Sequence, residues 1–400
     1  MTAIPRYRAT AAPALLSAGF RPFFLLSGAW AAVAIPLWLL LLAGRADLPT
    51  DLPPMLWHAH EMVFGYAVAT VAGFLLTAVP NWTGRMPLQG LPLGVLVLLW
   101  LAGRAAMLLP GALPAPAGAA LDLAFLTVFL LAIGREIVAG RNWRNLPVLA
   151  ALSLLLAANL LVHVGAAAGF ALAMAGIRLG IATLLALIGL IGGRIIPSFT
   201  RNWLARRDPK GALPAPFGTI DRVALGVTVA ALALWVALPD ARATGALLAG
   251  AGVANAVRLA RWRGAATLAE PLLAVLHLGY AWIAAGLLLL GAGDFVTALP
   301  AAAALHALTV GAIGTMTVSV MARATLGHTG RALTAGPGIS AVFALVTLAA
   351  VLRVAAGITA ARYGLLLALS GAAWSGAFGL FVILFARLLA TPRRRAHRTA

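Results

Sequence analysis

The sequence predicts an all-α membrane protein, with about twelve transmembrane helices in a single bundle and both termini cytoplasmic. Three observations predict it. Of 400 residues, 62% are hydrophobic and only 10% charged, and the mean hydropathy is +1.00. Apolar runs of about twenty residues, enough to cross the hydrocarbon of a bilayer, recur along the whole chain. The positive charge lies between those runs, on alternate connectors. A net charge of +19 would suggest nucleic acid in a soluble chain, but here it is almost all arginine, with Lys210 the only lysine. Its placement sets orientation and excludes nucleic acid as the partner. Cysteine is absent, so any metal must be held by His, Met, carboxylate or backbone.

The first run, 20–44, is too long for the core of a cleaved signal peptide and reads as a retained span. The second, 56–79, opens on WHAHEM, which sets His58, His60 and Glu61 at the head of an otherwise apolar helix. Runs 91–110, 117–138 and 146–168 follow, the fourth holding Asp122 and the fifth His163. The sixth, 173–197, carries Gly189-x-x-x-Gly193, a spacing that lets helices pack closely. Segment 198–219, SFTRNWLARRDPKGALPAPFGT, is basic and rich in Pro and Gly; it reads as a cytoplasmic connector between six-helix halves 1–197 and 220–400. Runs 220–238, 244–260, 266–291, 296–320, 337–358 and 363–390 complete the set. No connector is long enough for a separate domain, so 1–400 is one integral-membrane domain. Walker and dinucleotide fingerprints are absent in their required setting, which excludes soluble-nucleotide chemistry.

The connectors alternate sharply in charge. One side holds Arg6, Arg8, Arg85, Arg141, Arg144, Arg201, Arg206, Arg207, Lys210, Arg258, Arg261, Arg263, Arg323, Arg331, Arg393, Arg394, Arg395 and Arg398; the other has only Arg45, Arg242 and Arg362. Positive loops stay inside, which places both termini in the cytoplasm and requires an even number of spans.

An ionisable group at the centre of a membrane helix costs about 2.5–3.5 kcal/mol on insertion scales, so its presence points to function. With the N-terminus inside, His58 and His60 lie near the outer surface, and His163 lies near the outer end of span five. His277 and His306 each fall about ten residues (roughly 15 Å) into antiparallel spans, both near the midplane. His328 follows the inner end of span ten, and His397 lies in the basic tail. A single membrane histidine can be an interhelical hydrogen-bonding residue; five at two neighbouring depths point to at least two that ligate metal or haem. His58 and His60 are turned about 200° apart on a helix, so they serve two sites rather than chelate one ion. Glu61 is placed to take an imidazole N–H or relay a proton. In span nine Glu270, His277 and Tyr280 share a face, and Glu61, Glu270 and Tyr280 are the catalytic candidates, the two carboxylates carrying protons from the outer side. Met316 and Met321 are soft sulfurs suited to Cu(I), or core filler. Arg104, Arg178 and Arg353 are expected to meet Asp122, Glu136 or haem propionates, or to snorkel.

Three segments then carry a resemblance: WHAHEMVFGYAVATVAGFLLTAVPNWTG at 57–84, GGRIIPSFTRNWL at 192–204 and LHALTVGAIGTMTVSVMARATLGHTGR at 305–331. Together with GFRPFFLLSG at 19–28, they resemble the NnrS family of bacterial inner-membrane proteins over essentially the whole chain. The resemblance implies twelve spans, haem b and copper, and a setting in denitrification and resistance to nitric oxide and nitrosative stress. The mechanistic reading built on those cofactors is NO bound at a His-ligated haem, with reduction by quinol-derived electrons, in the manner of a nitric oxide reductase, as one outcome. A sensor or buffer without turnover, and a transporter of haem, copper or a metal–nitrosyl species, stay open beside it. The motifs carry His58, His60, Glu61, Arg194, His306, His328 and Arg331. The candidate cofactor-binding residues are His58, His60, His277, His306 and Arg194. The candidate metal ligands are His58, His60, His163, His277, His306 and His328, of which His163 and His277 rest on position alone.

Overall fold

The computed structural model describes residues 13–46, 52–109, 113–208, 210–296 and 299–392. Every regular element among them is helical. Twelve helices are long and apolar enough to cross a membrane: α1 (Phe20–Leu42), α2 (Pro54–Thr83), α3 (Leu91–Leu108), α4 (Ala115–Ala139), α5 (Trp143–Ala168), α6 (Phe170–Arg207), α7 (Thr219–Ala237), α8 (Arg242–Ala260), α9 (Pro271–Gly293), α10 (Ala301–His328), α11 (Pro337–Ile358) and α12 (Ala360–Ala390). By these helices it is a multi-pass membrane protein. Arg6, Arg8, Arg393, Arg394, Arg395, His397 and Arg398 lie outside the described residues.

Local chemistry sets where the helices begin and end. Proline occupies the first turn of α2, α3, α4, α9 and α11, where its missing N–H costs nothing and its fixed φ suits the helix. Gly84 ends α2 in the left-handed region at φ +72°, which a side chain would resist. Three helices change their winding. Residues Glu61–Ala67 of α2, Ile188–Gly192 of α6 and Ala307–Gly314 of α10 form π-helical turns. Such widened turns loosen the backbone ladder and recur at functional sites. Each falls inside or against one of the three motif segments.

The helix α6 corrects the expected connector. The apolar run ends near Pro197, but the helix continues past that proline to Arg207, so the link to α7 is only 208–218. Hydropathy marks where the lipid ends, not where the hydrogen-bonded helix ends.

The chain divides into two compact units. The first comprises Met1–Gly180, Met321–Ala332 and Phe381–Ala400; the second comprises Ile181–Val320 and Leu333–Leu380. The first has an aromatic core in which Phe23, Phe24, Trp57, Phe129, Phe381 and Phe385 are buried. There Arg21, at the start of α1, donates to the Leu389 carbonyl at 2.7 Å and the Thr391 carbonyl at 2.6 Å. Those are orphan acceptors at the end of α12, the negative end of its dipole. The second unit depends on small residues. A Cβ on Gly291 would strike the backbone of Gly245 and Ala249, and one on Gly252 would strike Leu288, so α8 and α9 approach closely.

Candidate functional site

The site grows from the point in α2 where ordinary helix gives way to the widened turn. His60 is the last residue before it and Glu61 the first within it, and both are fully buried. Across from them Gly103 of α3 lets α4 come close, since a Cβ there would lie 3.1 Å from the Asp122 Cα. That approach brings Arg104 of α3 beside Asp122 of α4. From α5 come Asn159 and, one turn later, His163.

Six side chains thereby form one cluster. His60 Nδ1 lies 2.9 Å from Glu61 Oε1. Its Nε2 lies 3.1 Å from Asp122 Oδ2 and 2.9 Å from Asn159 Oδ1. Asn159 Nδ2 donates to Asp122 Oδ2 at 2.7 Å, and His163 Nε2 sits 3.0 Å from that same oxygen. Arg104 donates to Glu61 Oε1 at 2.5 Å and also to Asp122 Oδ1. Trp100 stacks its ring under the guanidinium at 5.9 Å and donates Nε1–H to the Gly65 carbonyl at 3.0 Å. Gly65 must be glycine: a Cβ would meet Trp30 Nε1 at 2.7 Å, Arg104 Nη1 at 2.8 Å and Glu61 Oε2 at 2.9 Å.

Two properties of this cluster bear on chemistry. His60, Asp122 and His163 offer ligand atoms within 4.8 Å of one another. Metal bonds of about 2.0–2.2 Å at ordinary angles space adjacent ligand atoms roughly 3.0–3.4 Å apart, as Asp122 Oδ2 is spaced from both imidazoles. The formal charge is also unbalanced, because Glu61 and Asp122 face one guanidinium. A buried excess of negative charge calls for one more cation, a metal ion or a proton on an imidazole. Beside the cluster, on the side away from Arg85, Arg141 and Arg144, a cavity of about 600 Å³ is lined almost wholly by apolar residues of α3, α4 and α5, with His163 in its wall.

The other candidates are scattered. His58 turns to α1, stacking on Trp38 with centroids 4.1 Å apart and an interplanar angle of 21°. His328 packs against Phe20 at 5.3 Å, and Arg194 is exposed on α6. Met321 Sδ accepts the Thr70 hydroxyl at 3.7 Å, while Met316 packs on Gly279.

His277 and His306 do not share a depth. Gly279 faces Met316 and Gly286 faces Leu308, which fixes the antiparallel register of α9 and α10. On that ladder His306 stands level with about residue 288, roughly 16 Å of helix rise from His277. The expectation erred because α9 starts only at Pro271, and α10 only after Pro300. His277 accepts or donates through Nε2 to the Thr200 hydroxyl at 2.9 Å, and its buried Nδ1 has no partner. His306 donates Nδ1–H to the Ala302 carbonyl at 2.6 Å, which turns Nε2 away from its own helix. Glu270 is the N-cap of α9, accepting from Leu272 N at 3.2 Å and Ala335 N at 3.1 Å. It therefore stands at the helix end next to the arginine-rich Arg261 and Arg263 connector, not at the end from which protons were expected.

Tyr280 belongs to a second buried network. Arg258, counted from sequence as a loop charge, is fully buried in the last turns of α8. It donates to Asp221 at 3.0 Å, to the Gly189 carbonyl in the widened turn of α6 at 2.9 Å and to the Tyr280 hydroxyl at 2.7 Å. Tyr280 donates onward to Asn255 at 2.7 Å, and Arg261 adds a second cation to Asp221 at 2.8 Å. A Cβ on Gly193 would run into the Arg258 guanidinium, so Gly193 makes room for this arginine, while a Cβ on Gly189 would lie 3.4 Å from Leu225 of α7, so that glycine faces a neighbouring helix.

Sequence reasoning named Arg104 and Asp122 only among several alternative arginine partnerships, and it missed Asn159, Asp221 and Asn255. A carboxylate or amide inside an apolar run, in a chain with ten acidic residues, was the available signal. No curated protein matches the chain. A family model described as NnrS protein matches residues 14–393, a span that includes the whole buried cluster and all three widened turns, and the protein belongs to the NnrS family.

Proposed function

We propose that this chain is a metal-dependent nitric oxide protein of the bacterial inner membrane, its metal ion held by His60, Asp122 and His163. The observation that carries this reading is the buried His–Asp–His triad beside an apolar cavity. Imidazole with carboxylate suits divalent copper or iron, and copper is the ion that the family resemblance implies. When bound, the ion would supply a coordination position for NO and a redox couple for its reduction.

The residues around the triad have definite work. Glu61 takes Nδ1–H of His60, which fixes the tautomer that leaves Nε2 for the ion. Asn159 and Arg104 hold the Asp122 carboxylate from two sides. Glu61 Oε2 is buried without a partner, and it is the atom able to hold a proton for a reduction that consumes protons. The apolar walls exclude water and favour NO, a small apolar ligand. With the arginine-rich connectors in the cytoplasm, the cluster lies toward the outer face.

Haem b does not fit between His60 and His163, whose rings are 5.3 Å apart and share one carboxylate oxygen. It fits His306 better. That imidazole has Nδ1 fixed and Nε2 turned outward. Gly357 packs on Ala303, which sets Arg353 one turn away with its buried Nη1 unpartnered, a donor suited to a propionate.

Metal analysis and visible spectra of the purified protein test this, with and without dithionite and NO. His60→Ala and His163→Ala should each lose the metal ion and keep haem, while His306→Ala should do the reverse. A colourless, metal-free wild-type preparation would sink the proposal. NO consumption separates a reductase from a sensor or buffer.

A further inference from the structure

We infer that the cavity beside His163 is a quinone pocket, which takes the ring of a quinol or quinone with one ring oxygen on His163 Nδ1. The inference deepens the metal reading and rests on it for the ligand's role as electron donor, although binding itself does not require the ion.

About 600 Å³ is far more than a diatomic gas needs, and it lies within the roughly 300–1,000 Å³ of pockets for drug-sized ligands. Polarity comes next. The wall includes Met107, Gly118, Leu123, Leu160 and Val164; among the described residues it has no Arg, Lys, Asp or Glu, and His163 is its one ionisable member. A phospholipid phosphate would need a cation there, and an acyl chain has no use for an imidazole. An uncharged apolar ring bearing one or two oxygens meets both conditions.

His163 supplies the polar contact in that wall. His163 commits Nε2 to Asp122, and its Nδ1 takes no partner among the described residues. With Nε2 on a metal, Nδ1 carries the hydrogen and donates to a carbonyl or hydroxyl oxygen. One imidazole would then join ring to ion. The cavity wall is also fixed rather than loose: the Trp57 Nε1–H donates to the Met107 carbonyl at 3.0 Å, and Trp57 is buried.

Gly118 offers the test. A Cβ there meets nothing within 4 Å, so a side chain at this position starts into open space at the cavity wall. Gly226, equally open and outside the cavity, serves as control. Decylubiquinone is titrated into full-length protein, metal-loaded and metal-stripped, and followed by tryptophan fluorescence. Saturable binding to both forms is expected, weakened at least about tenfold in Gly118→Phe and unchanged in Gly226→Phe, with metal content equal in all three. A photoreactive quinone on wild-type protein should label 107–123 or 160–167, which keeps the test sound if Gly118→Phe fails to fold. Absence of saturable binding, binding indifferent to Gly118→Phe, or label confined elsewhere overturns the pocket. Bound metal without quinone binding removes this inference alone; quinone binding without metal removes the metal reading alone.

Discussion

Each unit contains a buried arginine built into the membrane by the same means, and the two differ in what surrounds it. Arg104 and Arg258 each reach an aspartate on a neighbouring helix, Asp122 and Asp221. Each lies over a tryptophan, Trp100 or Trp262. Each presses against a glycine in or beside a widened turn, Gly65 or Gly193. The formal charges diverge. Around Arg104 two carboxylates leave an excess of one negative charge; around Asp221 two arginines leave an excess of one positive charge. Only the first is ringed by imidazoles. The second is closed with a phenol and an amide, Tyr280 and Asn255. A shared scaffold thus gives a site able to accept a cation in one place and a sealed ionic joint in the other.

That contrast can be broken experimentally. The largest effect should come from Arg104→Met, which strands Glu61 and Asp122 together; losing one partner of a buried pair costs about 3–5 kcal/mol. Arg258→Met should cost less, because Asp221 keeps Arg261. Thermal unfolding in detergent ranks the two, and the reverse order would end the comparison as drawn. Next come Gly65→Ala and Gly193→Ala, each forcing a methyl into a guanidinium at about 1–3 kcal/mol. Similar losses would support a common device, and a silent Gly193→Ala would refute it. Smallest should be Tyr280→Phe, which leaves Asn255 Oδ1 without its donor at about 1–2 kcal/mol. Its metal content should equal wild type; loss of metal would return Tyr280 to the functional site.

Much of the fold was legible because membrane helices announce themselves by apolar length, and all twelve runs correspond to helices. Helix ends were less so. The polar continuation of α6 beyond Pro197 is invisible to hydropathy, and the depth of His277 depended on a cap, Glu270, that looks in sequence like another membrane carboxylate. The site was half legible. His60, Glu61 and His163 stood out as ionisable groups in apolar runs, whereas Asn159 is chemically quiet until the fold sets it between His60 and Asp122. Arg258 misled because an arginine at the end of a run reads as a loop charge whether it turns outward or in.

The clamp of Arg21 on the last carbonyls of α12 has a consequence for biogenesis. The first unit joins segment 1–180 to segments 321–332 and 381–400, while the second is one insertion interrupted only by 321–332. A ribosome feeding this protein into a membrane releases the Thr391 carbonyl 370 residues after Arg21. The half that bears the histidine cluster therefore waits, with its first helix unclamped, until α12 has emerged. Truncation upstream of Phe381 would leave that half open while sparing nearly every residue of the other.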